Sequence, residues 1–355
     1  MEVHLSPRDA GVWAAQDTSP AKIEGALRAL LEEQHKEDEA YVRASVMNLV
    51  VIVDRDWKGE IVNRLERVGR YHPSRTIICA VERGRTSLDA RAVSTAEERE
   101  GLTVAHEAVH IDLGPRHLAG LETVVDPLVI PDLMTAVWSP HGFPEAVDAL
   151  QRLAQVVLID SLDQPDLRSA VDRATTLSER SYVVDLAWLR STPWRERVAA
   201  TFDPPKFRSR VFEVSGVTVR HRSDSAISGL LLLGWLASRL GWEPGSFVSR
   251  NGSMQARARS KRHEVTLRLQ AEERQEVPGL SGLTLETAAG GSLSLNRGPG
   301  GLTAVSRSRD GRESSWTILG ASRGEAGILG EGIRQALLRD PTYRPALEAA
   351  AAMLS

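Results

Sequence analysis

The chain has 355 residues, of which 42% are hydrophobic and 26% charged, with a formal net charge of −3. That is long enough for two domains with separate cores, and the balance is that of an ordinary globular protein. The slight negative charge excludes a global attraction to nucleic acid or an anionic membrane, and the lone Cys79 excludes an intrachain disulfide.

Residues 1–19 show no sustained period and read as a loose leader. Glu2, His4, Arg8 and Asp9 interrupt the place where a signal peptide would carry its apolar core, so a cytoplasmic protein is expected. Residues 20–39 place Ile23, Leu27, Leu30 and Leu31 at helical spacing. The run VMNLVVIV within 42–53 is apolar almost throughout, as in a strand covered on both faces. A helix over 57–71 follows, with Ile61, Leu65 and Val68 on one face and Asp56 as its cap. A second apolar strand over 74–81 holds Cys79 as a buried thiol, and 82–99 reads as a polar loop. Beyond it come a short helix over 115–125, a buried strand over 133–138 and a helix over 143–154. Residues 156–160 and 166–177 repeat strand then helix. This alternation predicts a mainly parallel sheet flanked by helices. The stretches 74–81 and 101–113 lack a helix between them, which predicts one antiparallel neighbour.

After about residue 180 the texture changes. A last strand over 181–189 leads to a helix over 193–200 opened by Pro193, then a strand over 214–220. An apolar helix over 224–240 ends at Gly241. Its most apolar run is roughly half of what a bilayer span needs. Short alternating runs at 264–270, 283–287, 292–296, 302–306 and 316–319, separated in several places by glycine-rich turns, predict an antiparallel meander. Helices over 324–338 and 341–354 close the chain. The predicted fold is an α/β N-terminal domain with a mainly parallel sheet, residues 1–180, followed by an α+β C-terminal domain, residues 181–355. The boundary falls between about 178 and about 205.

The sharpest motif is His106-Glu107-Ala108-Val109-His110, an H-E-x-x-H string. On a helix it would hold zinc, but LTVAHEAVHIDL alternates with period two, and Val104, Val109 and Ile111 favour strand. On a strand, residues four apart lie about 13 Å from each other, too far for one metal. Two solvent-facing histidines on a half-exposed strand are expected instead.

Ser139 and His141 follow a strand at its carboxyl end, where ligands of open parallel sheets bind. They form a candidate ligand turn for a small phosphorylated molecule, against a plain strand-to-helix turn set by Pro140 and Gly142. Arg250, Arg257, Arg259, Lys261, Arg262 and His263 form one basic cluster with no interleaved aromatics, which reads as a solvated loop rather than a nucleic-acid surface. The glycines of 289–301 flank a strand-like run and read as hairpin turns, not a phosphate cradle. Residues 188–197 pack Trp188, Arg190, Trp194 and Arg197 together. Trp and Arg dominate buried contacts between proteins, so these four are the candidate partner-binding residues, with core packing of the indoles as the alternative. No catalytic residue, cofactor site or metal site is identified.

The stretches MNLVVIVDRDWKGEIVNRLERVGRYHPSRTIICAVE, DPLVIPDLMTAVWSPHG and DLAWLRSTPWRERVAATFDP resemble the glucose-6-phosphate dehydrogenase assembly protein (OpcA) family, from about residue 20 to about residue 340. The resemblance implies a non-enzymatic accessory protein. Its partner would be glucose-6-phosphate dehydrogenase of the oxidative pentose phosphate pathway, whose assembly it promotes and which it activates allosterically. With Cys79 alone, the intramolecular dithiol switch that the resemblance implies for photosynthetic members has no basis here. Neither nucleic acid nor membrane is expected as a partner, and self-association is left open. The competing function is a sugar-phosphate-binding protein or isomerase with its site near Ser139 and His141.

Overall fold

Every residue from Met47 to Val53 is buried, as a run apolar but for Asn48 requires of a strand with helices on both faces. The structure, a computed structural model, describes residues 8–37, 41–43, 45–69, 73–99, 102–250, 252–298, 300–319 and 324–355. It divides into two units, Met1–Ile159 with Arg180–Val184, and Asp160–Glu179 with Asp185–Ser355.

The first unit is built on β1 (Arg8–Ala15), α1 (Pro20–Glu37), β2 (Tyr41–Arg43), β3 (Met47–Asp54), α2 (Lys58–Gly69), β4 (Ser74–Val81), β5 (Asp89–Arg99) and β6 (Leu102–Leu113). It continues with α3 (Leu121–Val125), β7 (Met134–Trp138), α4 (Pro144–Ala149), β8 (Val156–Ile159) and β9 (Tyr182–Asp185). In space the sheet runs β1-β5-β6-β4-β3-β7-β8-β9, with β2 beside β6. The strands from β6 to β8 are parallel. The core is formed by β3, β4, Ile61, Leu65 and Val68 of α2, and Ile23 and Leu27 of α1. Cys79 is fully buried, and burial pushes its thiol up to about 12, so it stays protonated and inert.

Two expectations are corrected here. Residues 8–15 of the leader form strand β1, and most of the polar loop is strand β5; the two pair antiparallel at the sheet edge. The antiparallel neighbour is β5 on β6, while β4 and β6 are themselves parallel. Asp89–Arg99 buries Ala90, Ala92 and Ser94, side chains too small to produce a hydrophobic alternation. A third correction concerns the cap of the turn leading into α2. Asp54 caps it, accepting from the Asp56 amide at 2.9 Å.

The second unit carries α5 (Leu167–Ser178), α6 (Leu186–Arg190), α7 (Thr192–Phe202), α8 (Pro205–Arg208), β10 (Val214–His221), α9 (Ala226–Leu240), β11 (Glu243–Pro244), β12 (Val248–Arg250) and β13 (Ser253–Arg259). Then come β14 (Glu264–Ala271), β15 (Leu280–Thr287), β16 (Ser292–Gly298), β17 (Gly301–Arg307), β18 (Glu313–Leu319), α10 (Gly324–Leu338) and α11 (Tyr343–Leu354). The spatial order is β11-β13-β14-β10-β15-β16-β17-β18, with β12 on β13. From β15 to β18 the strands form the expected meander. The departure is β10, which inserts between β14 and β15, parallel to the first and antiparallel to the second. The basic cluster is not a loop throughout. Arg257 and Arg259 lie on β13 and pair with Glu264 and Glu243.

Helix α9 is buried almost all round, with Leu230 to Leu233 fully inaccessible. It packs against β10, β14 and α11. That explains its hydropathy without a membrane, and no helix among the described residues is long and apolar enough to cross one. Gly234 lets α11 approach: a Cβ there would sit 2.2 Å from the Ala346 carbonyl oxygen. Gly234→Ala is therefore expected to destabilise by about 1–3 kcal/mol as the helices part, despite alanine's better helix propensity. Urea unfolding checks this, and an unchanged midpoint contradicts it.

Candidate functional site

The expected strand over 181–189 ends at Asp185, whose carboxylate caps α6 by accepting from Ala187 N at 2.9 Å. Asp185 is fully enclosed. It also accepts from Ser161 N at 3.1 Å, Ser161 Oγ at 2.6 Å and Tyr343 Oη at 3.1 Å. Burial, with the neighbouring charge of Asp160, still pushes its carboxyl up to about 6. Asp160 is shifted upward too, by burial, although Arg190 opposes this.

The tryptophans of this segment face inward. Trp188 is 2% exposed and Trp194 3%. Trp188 donates from Nε1 to Asp340 at 2.9 Å and lies 5.6 Å from the Tyr343 ring. Arg195 stacks its guanidinium 3.5 Å above the indole and reaches Asp340 at 3.6 Å. Burial pushes the Arg195 guanidinium down to about 10, against the pull of Asp340. Arg190 bridges Asp160 at 2.6 Å and Glu325 at 2.7 Å. Despite burial, those carboxylates hold it above the ordinary arginine range. Arg197 is half-buried, and its Nε has no hydrogen-bond partner among the described residues. Of the four predicted residues, then, the indoles are held in the core of the second unit, and the two guanidiniums lie part-way to solvent.

This arrangement makes stability depend on pH. Asp185 keeps its proton to about pH 6 when folded but only to about 3.9 when unfolded. Between those values the native state binds more protons, so stability falls as pH rises. The contribution of the neutral carboxyl is complete below about pH 4 and lost above about pH 6. A slope on the order of 1 kcal/mol per pH unit is expected in that window, flattened in Asp185→Asn. Urea titrations at successive pH values would reveal it, and equal slopes in both proteins would contradict it.

In the first unit, β6 is the strand that its alternation predicts. Glu107 is buried and paired bidentately with Arg75, both bonds being 3.0 Å. It is thus a structural carboxylate. His106 and His110 are half-buried rather than freely solvent-facing. Burial, with Lys58 and Arg91, pushes His110 down to about 4. Among the described residues no group of three or more His, Cys, Asp or Glu is placed to hold a metal.

Ser139 and His141 do follow the carboxyl end of β7. Ser139 Oγ donates to the Gly142 carbonyl, so its hydroxyl is committed to the turn. His141 is exposed and lies 5.1 Å from the Trp57 ring, centroid to centroid. Its proton affinity is lowered by burial, with Glu60 and Asp54 opposing and Arg64 assisting. Sequence reading missed this pairing and missed Asp160, Asp185, Glu325, Asp340 and Tyr343 as a group. Caps such as Asp185 before a helix are readable locally, but partners 135 to 158 residues apart are not.

Comparison with known proteins places both halves of the chain. Two family models match, described as the N-terminal domain and the C-terminal domain of a glucose-6-phosphate dehydrogenase subunit; the first covers residues 65–176 and the second 181–347. The "Putative OxPP cycle protein OpcA" of Synechococcus elongatus is 25% identical over 214 residues, 58% of this chain and 48% of that protein. The protein of the same name in Synechocystis is 34% identical over 135 residues, 36% of this chain and 28% of that one. The chain thus spans less than half the length of these curated relatives. Apo scyllo-inositol dehydrogenase from Lactobacillus casei aligns with 88% of this chain and 96% of its own, at 11% identity and a TM-score of 0.46, too slight a likeness to argue from. Matched in both halves, the chain belongs to the OpcA family, whose two domain models carry the description of a glucose-6-phosphate dehydrogenase subunit.

Proposed function

We propose that this chain is a non-catalytic companion of glucose-6-phosphate dehydrogenase that binds the enzyme, favours its oligomeric assembly and shifts it toward its active state. The observation that carries this reading is that two family models, one in each half, both bear the description of a dehydrogenase subunit. A cytoplasmic location goes with it. A companion shifts an equilibrium only through its differential affinity for the two states. A tenfold gain in the active form needs about 1.4 kcal/mol of such difference, within the reach of one desolvated aromatic anchor. The segment bearing Trp188 and Trp194 serves as scaffold in this reading; Arg190 is held by Asp160 and Glu325, and Arg197 is the member left for contact.

The test is size-exclusion chromatography of the chain mixed with the dehydrogenase of the same organism over a range of concentrations. A larger co-eluting species that grows with the amount of chain is the expected result. Independent elution at every concentration contradicts the reading.

A further inference from the structure

In the first unit the sheet reverses its direction of growth at β3. Strand β4 lies on one side and β7 on the other, both parallel to it. In open α/β sheets the crevice outside the carboxyl ends at such a reversal is where ligands bind. A dinucleotide site would place a glycine-rich cradle after β3. Here the turn reads Asp54-Arg55-Asp56-Trp57 instead, and its capping carboxylate already accepts from the Asp56 amide.

An indole occupies that place. Trp57 is 49% exposed, and Trp316 at 42% is the other tryptophan with a large exposed surface. Of these two, Trp57 is backed among the described residues by a second ring, that of His141 from the turn after β7, tilted at 35°. That turn is strained: Gly142 has φ 107° and Phe143 φ 59°. A phenylalanine in the left-handed region costs on the order of 1–3 kcal/mol and marks turns whose geometry serves a purpose. The charges nearby are mostly committed. Arg55 and Lys58 both bond Asp112, and Arg64 bonds Glu60. Asp56, next to the indole in the chain, is exposed and has no ion-pair partner among the described residues. An exposed indole stacks a guanidinium or ammonium on its ring face, and a carboxylate such as that of Asp56, the preceding residue, pairs with such a cation.

We infer that Trp57, backed by His141 and flanked by Asp56, is the anchor through which this chain docks, and that it receives a basic side chain from the surface of the dehydrogenase. The inference rests on the function proposed above and assigns it a contact. The test is a titration of the dehydrogenase with the unchanged chain and with Trp57→Ala, Trp57→Phe, Asp56→Lys and Trp316→Ala, each first confirmed to melt like the unchanged chain. Trp57→Ala is expected to weaken binding about tenfold or more. Asp56→Lys should weaken it several-fold, Trp57→Phe should fall between, and Trp316→Ala should bind normally. Tight binding by Trp57→Ala, with the unchanged chain also binding, overturns the anchor alone. No binding by the unchanged chain removes the functional reading and the anchor with it.

Discussion

Glu107→Ala is expected to cost the folded chain about 3–5 kcal/mol. The carboxylate is 1% exposed and its partner Arg75 8%. Two parallel bonds join them, and Arg75 also donates to the Leu128 carbonyl at 3.0 Å. Removing the carboxylate takes two charge-assisted bonds from a buried guanidinium, and breaking a buried pair on one side costs far more than the pair itself contributes. The double substitution Arg75→Met with Glu107→Leu is therefore expected to be much less harmful than either single change. Chemical denaturation of the three variants decides the matter. A Glu107→Ala protein within about 1 kcal/mol of the parent would show that the pair is solvated rather than buried.

Trp188→Ala should be comparably damaging, by about 3–5 kcal/mol. The indole fills the core of the second unit, holds the Tyr343 ring and the Arg195 guanidinium, and spends its N–H on Asp340. Trp188→Phe keeps much of the packing and loses the bond to Asp340, so a loss of about 1–2 kcal/mol is expected. Thermal and urea unfolding check both. If Trp188→Ala unfolds like the parent yet fails to bind the dehydrogenase, the indole contacts the partner and its place in the core is wrong.

Much of the architecture was legible where the local pattern agrees with the tertiary outcome. The apolar stretches 49–53 of β3 and 77–81 of β4 report strands covered on both faces. The period-two alternation of β14 to β17 reports a sheet with one buried face. Gly241, at φ 64°, ends α9 as its position after an apolar helix suggests. The H-E-x-x-H string was resolved by the same periodicity, because β-branched neighbours outweigh the motif.

What failed to show was long-range or built from small side chains. Strand β5 buries alanines and a serine, and β1 owes its existence to pairing with it. Strand β9 looked longer because apolar residues continue past Asp185, where the buried carboxylate turns the chain into α6. Composition also drew attention to Trp188 and Trp194, since a cluster of tryptophan and arginine reads alike in a core and at an interface. Exposure separates them, and it brings forward Trp57, whose stacking partner His141 lies 84 residues away, a juxtaposition made by the sheet order.

The most direct measurement is the rate of NADPH formation by the dehydrogenase of the same organism at fixed glucose 6-phosphate and NADP, as this chain is added. A companion that favours the active assembly predicts a saturable rise in turnover, with no NADPH formed by the chain alone. Unchanged kinetics at saturating amounts of chain, or turnover of the substrate without the enzyme, would contradict the account.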